Sequence, residues 1–148
     1  MIVKRDKYTI HILDDVLIIL NKYIQDKDQN ESGGIILGSV HEKNHIYIQK
    51  ISEPNVLDKS TRCSFERDKN TAQIIVNEIF NESDGKIIYL GEWHTHPEKN
   101  PLPSNVDIKM IKQQYNKNII NVNFLLLLIQ GTESLYLAIY DGNQIINT

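Results

Sequence analysis

The chain has 148 residues, 41% of them hydrophobic and 24% charged, with 16 Lys and Arg against 19 Asp and Glu for a net charge of -3. This composition fits one globular domain over residues 1–148 and excludes wholesale disorder and a broad basic face for nucleic acid; the lone cysteine, Cys63, excludes an intrachain disulfide. The longest apolar runs, residues 16–20 and 124–129, fall far short of the roughly 20 needed to span a bilayer, and residues 1–8 lack the apolar core of a signal peptide, so a cytoplasmic chain without membrane contact is expected.

Residues 9–12 predict a short strand. Asp14 is placed to cap a helix whose apolar positions Val16, Ile19, Leu20, Tyr23 and Ile24 follow helical spacing. That helix fades in the polar run 25–30. Gly33 and Gly34 open a strand through Ile35, Ile36 and Leu37 that ends near Gly38, and residues 46–51 predict the next. Residues 54–60 read as a polar loop. Ala72, Ile75, Val76, Ile79 and Phe80 make an amphipathic helical face, stopped at residues 83–85. Residues 86–94, almost continuously apolar at 87–90, predict a central strand. A loop with three prolines, residues 97–103, leads into a helix over 104–115 with Ile108, Ile111 and Tyr115 inward. Residues 122–129 predict a long buried strand, residues 131–133 a turn and Leu135–Tyr140 a strand; Asp141 and Gly142 turn again before Ile145 and Ile146. Helix, strands, helix, strand, helix, strands is the order of an α/β sandwich, a mixed β-sheet flanked by helices rather than a regular doubly wound fold.

The chemistry is concentrated in residues 91–107, GEWHTHPEKNPLPSNVD. His94 and His96 are two apart at a strand's end, so both imidazoles point to one face, roughly 7 Å apart at the backbone, and can converge on one ion. Asp107 follows in the first turn of the next helix. Two His and one carboxylate leave a fourth tetrahedral position for water, the pattern of a catalytic zinc site. Ser104 and Asp107 equally satisfy a helix capping box, so spacing alone reads Asp107 both ways. Glu31, ahead of Gly33 and Gly34, reads either as a general base at the mouth of a buried strand or as an exposed acid.

The spacing His94-Thr95-His96, seven residues, Ser104, two residues, Asp107 resembles the JAMM signature of MPN-domain metalloproteases. Residues 31–38, ESGGIILG, resemble that family's glutamate-bearing strand. The resemblance runs from about Thr9 to Tyr140. YLGEWHTHP is most similar to the small stand-alone prokaryotic members, some of which accompany bacterial ubiquitin-activating (E1-like) and conjugating (E2-like) homologues, including in CBASS antiphage operons. The resemblance implies a cytidine-deaminase-like sandwich. It implies one Zn2+ per chain held by His94, His96 and Asp107. Glu31 would be the general base and Ser104 the donor to the oxyanion. It further implies a zinc-dependent isopeptidase acting after the C-terminus of a ubiquitin-like protein or a CBASS nucleotidyltransferase, its tail added as a strand beside the site. Two alternatives are a non-catalytic MPN scaffold and a peptidase that processes a sulfur-carrier-type protein.

Other residues carry weaker expectations. Glu92 shares the ligands' strand face and reads as a partner that orients an imidazole, as structural, or as a fourth ligand. Trp93 points oppositely, into the core. Pro97, Pro101 and Pro103 stiffen the loop before Asp107. Arg62, Arg67 and Lys69, flanking Phe65, read as a solvated helix start or as contacts for an acidic or C-terminal substrate tail. Cys63 has no paired histidine nearby in sequence. His11, His41 and His45 have no ligand spacing and read as ordinary strand or surface residues.

Overall fold

A computed structural model describes residues 1–118 and 120–148. Eight strands form one mixed sheet, in chain order β1 (Ile2–Arg5), β2 (Tyr8–Ile12), β3 (Gly33–His41), β4 (His45–Ile51), β7 (Ile88–Thr95), β8 (Leu125–Gln130), β9 (Leu135–Tyr140) and β10 (Ile145–Ile146). Their spatial order is β1-β2-β4-β3-β7-β8-β9-β10. The pairs β2–β4 and β7–β8 are parallel and the others antiparallel. A two-stranded hairpin, β5 (Lys59–Ser60) with β6 (Phe65–Glu66), stands apart from the sheet.

Among the described residues, three helices cover the two faces. Helix α1 (Asp14–Lys22) buries Val16 and Leu20 against Ile10, Ile12, Ile46 and Ile48. Helix α2 (Lys69–Glu82) sets Ala72, Ile75, Val76 and Ile79 on Ile35 and Leu37 across the opposite face. Helix α3 (Asn105–Lys117) packs Met110, Ile111 and Tyr115 on Leu125, Leu127 and Ile129 of that same face. This explains the LLLLI run of β8: Leu126 and Leu128 face α1 while its odd positions face α3, so no position is left for a polar residue. The sheet curls until its ends meet, and Arg5 Nε donates to the Leu137 carbonyl at 2.7 Å. No helix among the described residues is long and apolar enough to cross a membrane.

The α/β sandwich with a mixed sheet matches the sequence expectation, and several boundaries differ. The cap of α1 is Leu13 with no side-chain bond, so Asp14 is the first helical residue, beside the positive end of the helix rather than on the cap. β3 runs on to His41 because Ser39 and His41 continue its pairing with β4 past Gly38. β7 begins at Ile88 and β8 at Leu125, each later than the apolar runs imply. The loop expected at 54–60 ends in β5, and β1 is an edge strand that the sequence reading lacks.

A bulge in β7 sets up everything that follows. Ile36 pairs with Gly91 and Leu37 with Tyr89, so Leu90 has no partner on β3. A Cβ on Gly91 would strike the backbone of Leu126, so only glycine permits this approach. The extra residue shifts the alternation. Tyr89, Glu92 and His94 consequently share the α2/α3 face, while Leu90 and Trp93 face α1.

Candidate active site

His94 lies on the central strand β7, paired with Gly33 on one side and Ile129 on the other. His96 stands one residue past the strand, its N–H still donating to the Gln130 carbonyl at 3.0 Å. Both rings are buried, their centroids 5.0 Å apart. Asp107 comes from the first turn of α3 and Glu31 from the segment before β3, and both carboxylates are buried as well. His94 Nε2 stands 3.0 Å from Asp107 Oδ1. His96 Nε2 stands 3.1 Å from Asp107 Oδ2 and 3.2 Å from Glu31 Oε1. The ligand atoms of Glu31, His94 and His96 all lie within 4.8 Å of one another. The structure thus brings together four of the five expected site residues, and Glu31 is not the exposed acid of the alternative reading.

The fifth, Ser104, is exposed at the rim as the cap of α3. The capping box is complete: Ser104 Oγ accepts from the Asp107 N–H at 3.1 Å, and Asp107 Oδ2 accepts from the Ser104 N–H at 2.8 Å. The cap occupies only one carboxylate oxygen, and Oδ1 still faces His94. Cap and ligand are therefore compatible roles for Asp107.

Two observations bear on whether a metal fits. Glu31 Oε2 is buried without a hydrogen-bond partner, a cost of roughly 1–3 kcal/mol if nothing meets it, and His94 Nε2, buried 3.0 Å from Asp107 Oδ1, is not aligned for a hydrogen bond to it. Two imidazoles with carboxylate oxygens are the donor set zinc prefers. The electrostatics agree. Burial lowers the His96 pKa, but hydrogen bonds and charge from Asp107 and Glu31 outweigh it and carry it up to about 10. Burial works against ionisation of Asp107 too, yet His94 and His96 hold its carboxyl well below the usual range. Without an ion the positive charge between the two carboxylates is that of a protonated His96, and a bound cation would take the proton's place.

The positioning groups were mostly illegible in the sequence. Glu98 Oε1 lies 3.0 Å from His96 Nδ1, the carboxylate–imidazole contact that fixes which ring nitrogen stays free. Thr95, between the two histidines, necessarily faces the other side. Its Oγ1 donates to Gln25 Oε1 at 3.0 Å and accepts from the Ser32 N–H at 3.0 Å, and its N–H donates to the Ser32 carbonyl at 2.9 Å. Gln25 in turn donates to the Gln29 and Arg62 carbonyls. The Glu31 backbone is held by the β5–β6 hairpin, donating to the Thr61 carbonyl at 2.8 Å and accepting from Ser60 Oγ. Phe65 of β6 lies where a Cβ on Gly33 would sit, so glycine lets the hairpin close over the start of β3.

Other expectations are corrected here. Arg67 is not part of a solvated helix start: its Nε donates to Glu92 Oε1 at 2.8 Å and its Nη2 to Gln114 at 3.0 Å. Glu92 orients neither imidazole, because Arg67 and the Tyr89 hydroxyl take its two oxygens. Arg62 and Lys69 are exposed, as is Cys63. Trp93 is buried against Tyr23 as expected.

A family model described as prokaryotic homologs of the JAB domain matches residues 15–140. A protein of Escherichia coli named CD-NTase/cGAS isopeptidase is 38% identical over 128 residues, 86% of this chain and 79% of that one. Proteins of the same name from Vibrio cholerae and Pseudomonas aeruginosa are 39% identical over 108 residues and 33% identical over 138. These alignments cover 73% and 90% of this chain, and 66% and 84% of the relatives. The fold is also similar to the solution structure of a Desulfitobacterium hafniense protein, with a TM-score of 0.65 at 15% identity over 92% of this chain and 87% of that one.

Proposed function

Because the chain belongs to the prokaryotic JAB (MPN) domain family, we propose that it is a zinc-dependent isopeptidase. It hydrolyses the bond after the C-terminus of a ubiquitin-like protein or a CD-NTase that E1- and E2-like proteins have joined to a target, in the cytoplasmic setting of antiphage defence. The observation that carries this reading is the buried cluster of Glu31, His94 and His96, with Asp107 3.0 Å from His94 and Glu31 Oε2 left without a hydrogen-bond partner. The name shared by the three relatives supports the substrate class.

His94, His96 and Asp107 would hold the ion, which when bound acts as a Lewis acid and brings the pKa of water from about 15.7 to near 7. Glu31 takes a proton from the attacking water and gives it to the leaving amine as the C–N bond breaks. Its Oε2 is free of other bonds and so is available for both transfers. Ser104 Oγ accepts from the Asp107 N–H, which leaves its own proton to donate to the negative carbonyl oxygen. The N-terminus of α3 adds positive potential at the same place.

The test combines metal content with turnover. Natively purified protein holds about one zinc per chain at the Glu31 cluster, and His96→Ala loses that equivalent. Glu31→Gln keeps the zinc but cleaves a CD-NTase fused at its C-terminus to a reporter at least ~100-fold more slowly. A wild type that neither carries nor takes up zinc overturns the reading in favour of the scaffold. Capture by Glu31→Gln of a sulfur-carrier protein in place of a CD-NTase moves the substrate to that alternative.

A further inference from the structure

The chain has five histidines, and the three outside the cluster meet at one place. β3 begins at Gly33 beside His94 and ends at His41, roughly 25 Å farther along the strand. There His41 is the register partner of His45 on β4. On the other side of β4, the parallel strand β2 pairs Thr9 with His45 and His11 with Tyr47. Alternation then puts His11, His41, His45 and Tyr47 on one sheet face, opposite α1. α2 and α3 cover the β3, β7 and β8 part of this face and leave its β2–β4 end open.

These side chains, with Glu42, line a depression of about 390 Å³. His11 Nε2 lies 2.9 Å from His45 Nδ1. The Tyr47 ring stacks on His11 at 4.2 Å with a 4° interplanar angle and meets the edge of His41 at 5.3 Å, so one aromatic backs two imidazoles. His41 Nε2 rests 2.9 Å from Ser39 Oγ. Glu42 stands in the tight turn to β4 at positive φ.

We propose that His11 and His45, with His41 as a third ligand, form a second site for a divalent transition-metal ion of the zinc, nickel and copper class, separate from the Glu31 cluster. Two imidazole nitrogens on one tetrahedral ion sit about 3.3 Å apart, given metal–nitrogen bonds of ~2.0–2.1 Å, so the observed pair opens by only a few tenths of an ångström. The proton between the rings shifts to the far nitrogen of its own ring, leaving two lone pairs for the metal. His41, bonded to Ser39 Oγ and outside ligand distance of the His11–His45 pair, would complete the set by turning off Ser39 toward it, and Glu42, which lines the same depression, would supply a carboxylate for charge balance.

The experiment is zinc and nickel titration of tag-free protein by equilibrium dialysis, on wild type and on His94→Ala/His96→Ala. Wild type takes two equivalents and the double variant one. Adding His11→Gln or His45→Gln to the double variant abolishes that equivalent, and adding His41→Asn weakens it at least tenfold. The far-ultraviolet circular dichroism of each variant, unchanged, shows that loss of binding is not loss of fold. A double variant that binds nothing while folded, or binding indifferent to His11→Gln, overturns the proposal. Failure of the catalytic reading is distinguishable, because wild type and double variant then bind the same single equivalent.

Discussion

Thr95→Val is the sharpest test of how Glu31 is held. The change is close to isosteric and removes one hydroxyl. It strips the Ser32 N–H of its acceptor and Gln25 Oε1 of its donor, and Gln25 and Thr95 are fully buried. Two polar groups left unmet cost roughly 1–3 kcal/mol each, the half-buried Ser32 at the low end. A total of about 2–4 kcal/mol lowers Tm by ~5–15 °C in a chain of this size. The functional consequence follows from geometry. Glu31 directly precedes Ser32 and lies outside any strand or helix, so a slack Ser32 lets the carboxylate drift, and a misplacement of about 1 Å costs ~100-fold. His94 and His96 point from the opposite face of β7 and are untouched. The assay is differential scanning fluorimetry, zinc content and steady-state kinetics on Thr95→Val and Thr95→Ser. The expected result is a ~10–100-fold fall in kcat, with KM and zinc content near wild type, for valine, and near-normal behaviour for serine, which keeps the hydroxyl. Unchanged Tm and kcat in Thr95→Val would refute the reasoning, and so would loss of zinc in step with kcat.

Four further outcomes separate the roles at the site and its support. Ser104→Ala removes a cap worth about 1 kcal/mol, lowering Tm by ~2–4 °C, while activity falls ~100-fold or more for loss of the oxyanion donor; a fall in Tm alone would leave Ser104 only a cap. Asp107→Asn retains an oxygen for the Ser104 N–H but loses both the ligand charge and the ion pair with the histidines, so zinc content drops and the metal-free protein also melts lower; Asp107→Ala, which loses the cap as well, lowers the metal-free melting further. Arg67→Ala strands the buried Glu92 carboxylate and destabilises by ~3–5 kcal/mol, whereas Arg67→Met with Glu92→Leu recovers most of that in urea titrations. Chelation lowers Tm and added zinc restores it, by about 2.7 kcal/mol at a zinc concentration 100-fold above Kd; a Tm blind to chelator would count against any resident metal.

What the sequence made legible was local. The two-residue step from His94 to His96 gives one face of a strand, and the three-residue step from Ser104 to Asp107 gives a capped helix; both need only the period of one element. The LLLLI run of β8 marks a strand covered on two faces for the same reason. What stayed hidden depends on residues far apart in the chain. Gln25 and Thr95 meet across 70 positions, Arg67 and Glu92 across 25, and His11 and His45 across 34. His11, His41 and His45 read as ordinary residues until β2, β4 and β3 are set side by side. The Gly91 bulge was equally out of reach, although it decides that Tyr89 and Glu92 share a face. β1 and the β5–β6 hairpin offer four residues or fewer per strand, too few for a period to declare itself.

The placement of Asp107 shows why the ambiguity in the sequence was not a choice between exclusive answers: the cap leaves Oδ1 aimed at His94, as the proposed ligand role needs. A helix start needs an acceptor for its orphaned N–H groups and favours negative charge there. A metal centre needs a carboxylate already fixed in direction, since ordering a free side chain on binding would cost part of the affinity. The capping box meets both needs with one residue. The bond from the Ser104 N–H holds Oδ2 and so sets the plane of the carboxylate, leaving Oδ1 aimed at His94. The loop before it is tied down at the other end, where the Glu98 and Lys99 carbonyls accept from the turn between β8 and β9. Folding the first turn of α3 and orienting the Asp107 carboxylate are therefore the same event. The signal read as a helix cap is the physical reason that the carboxylate points at His94.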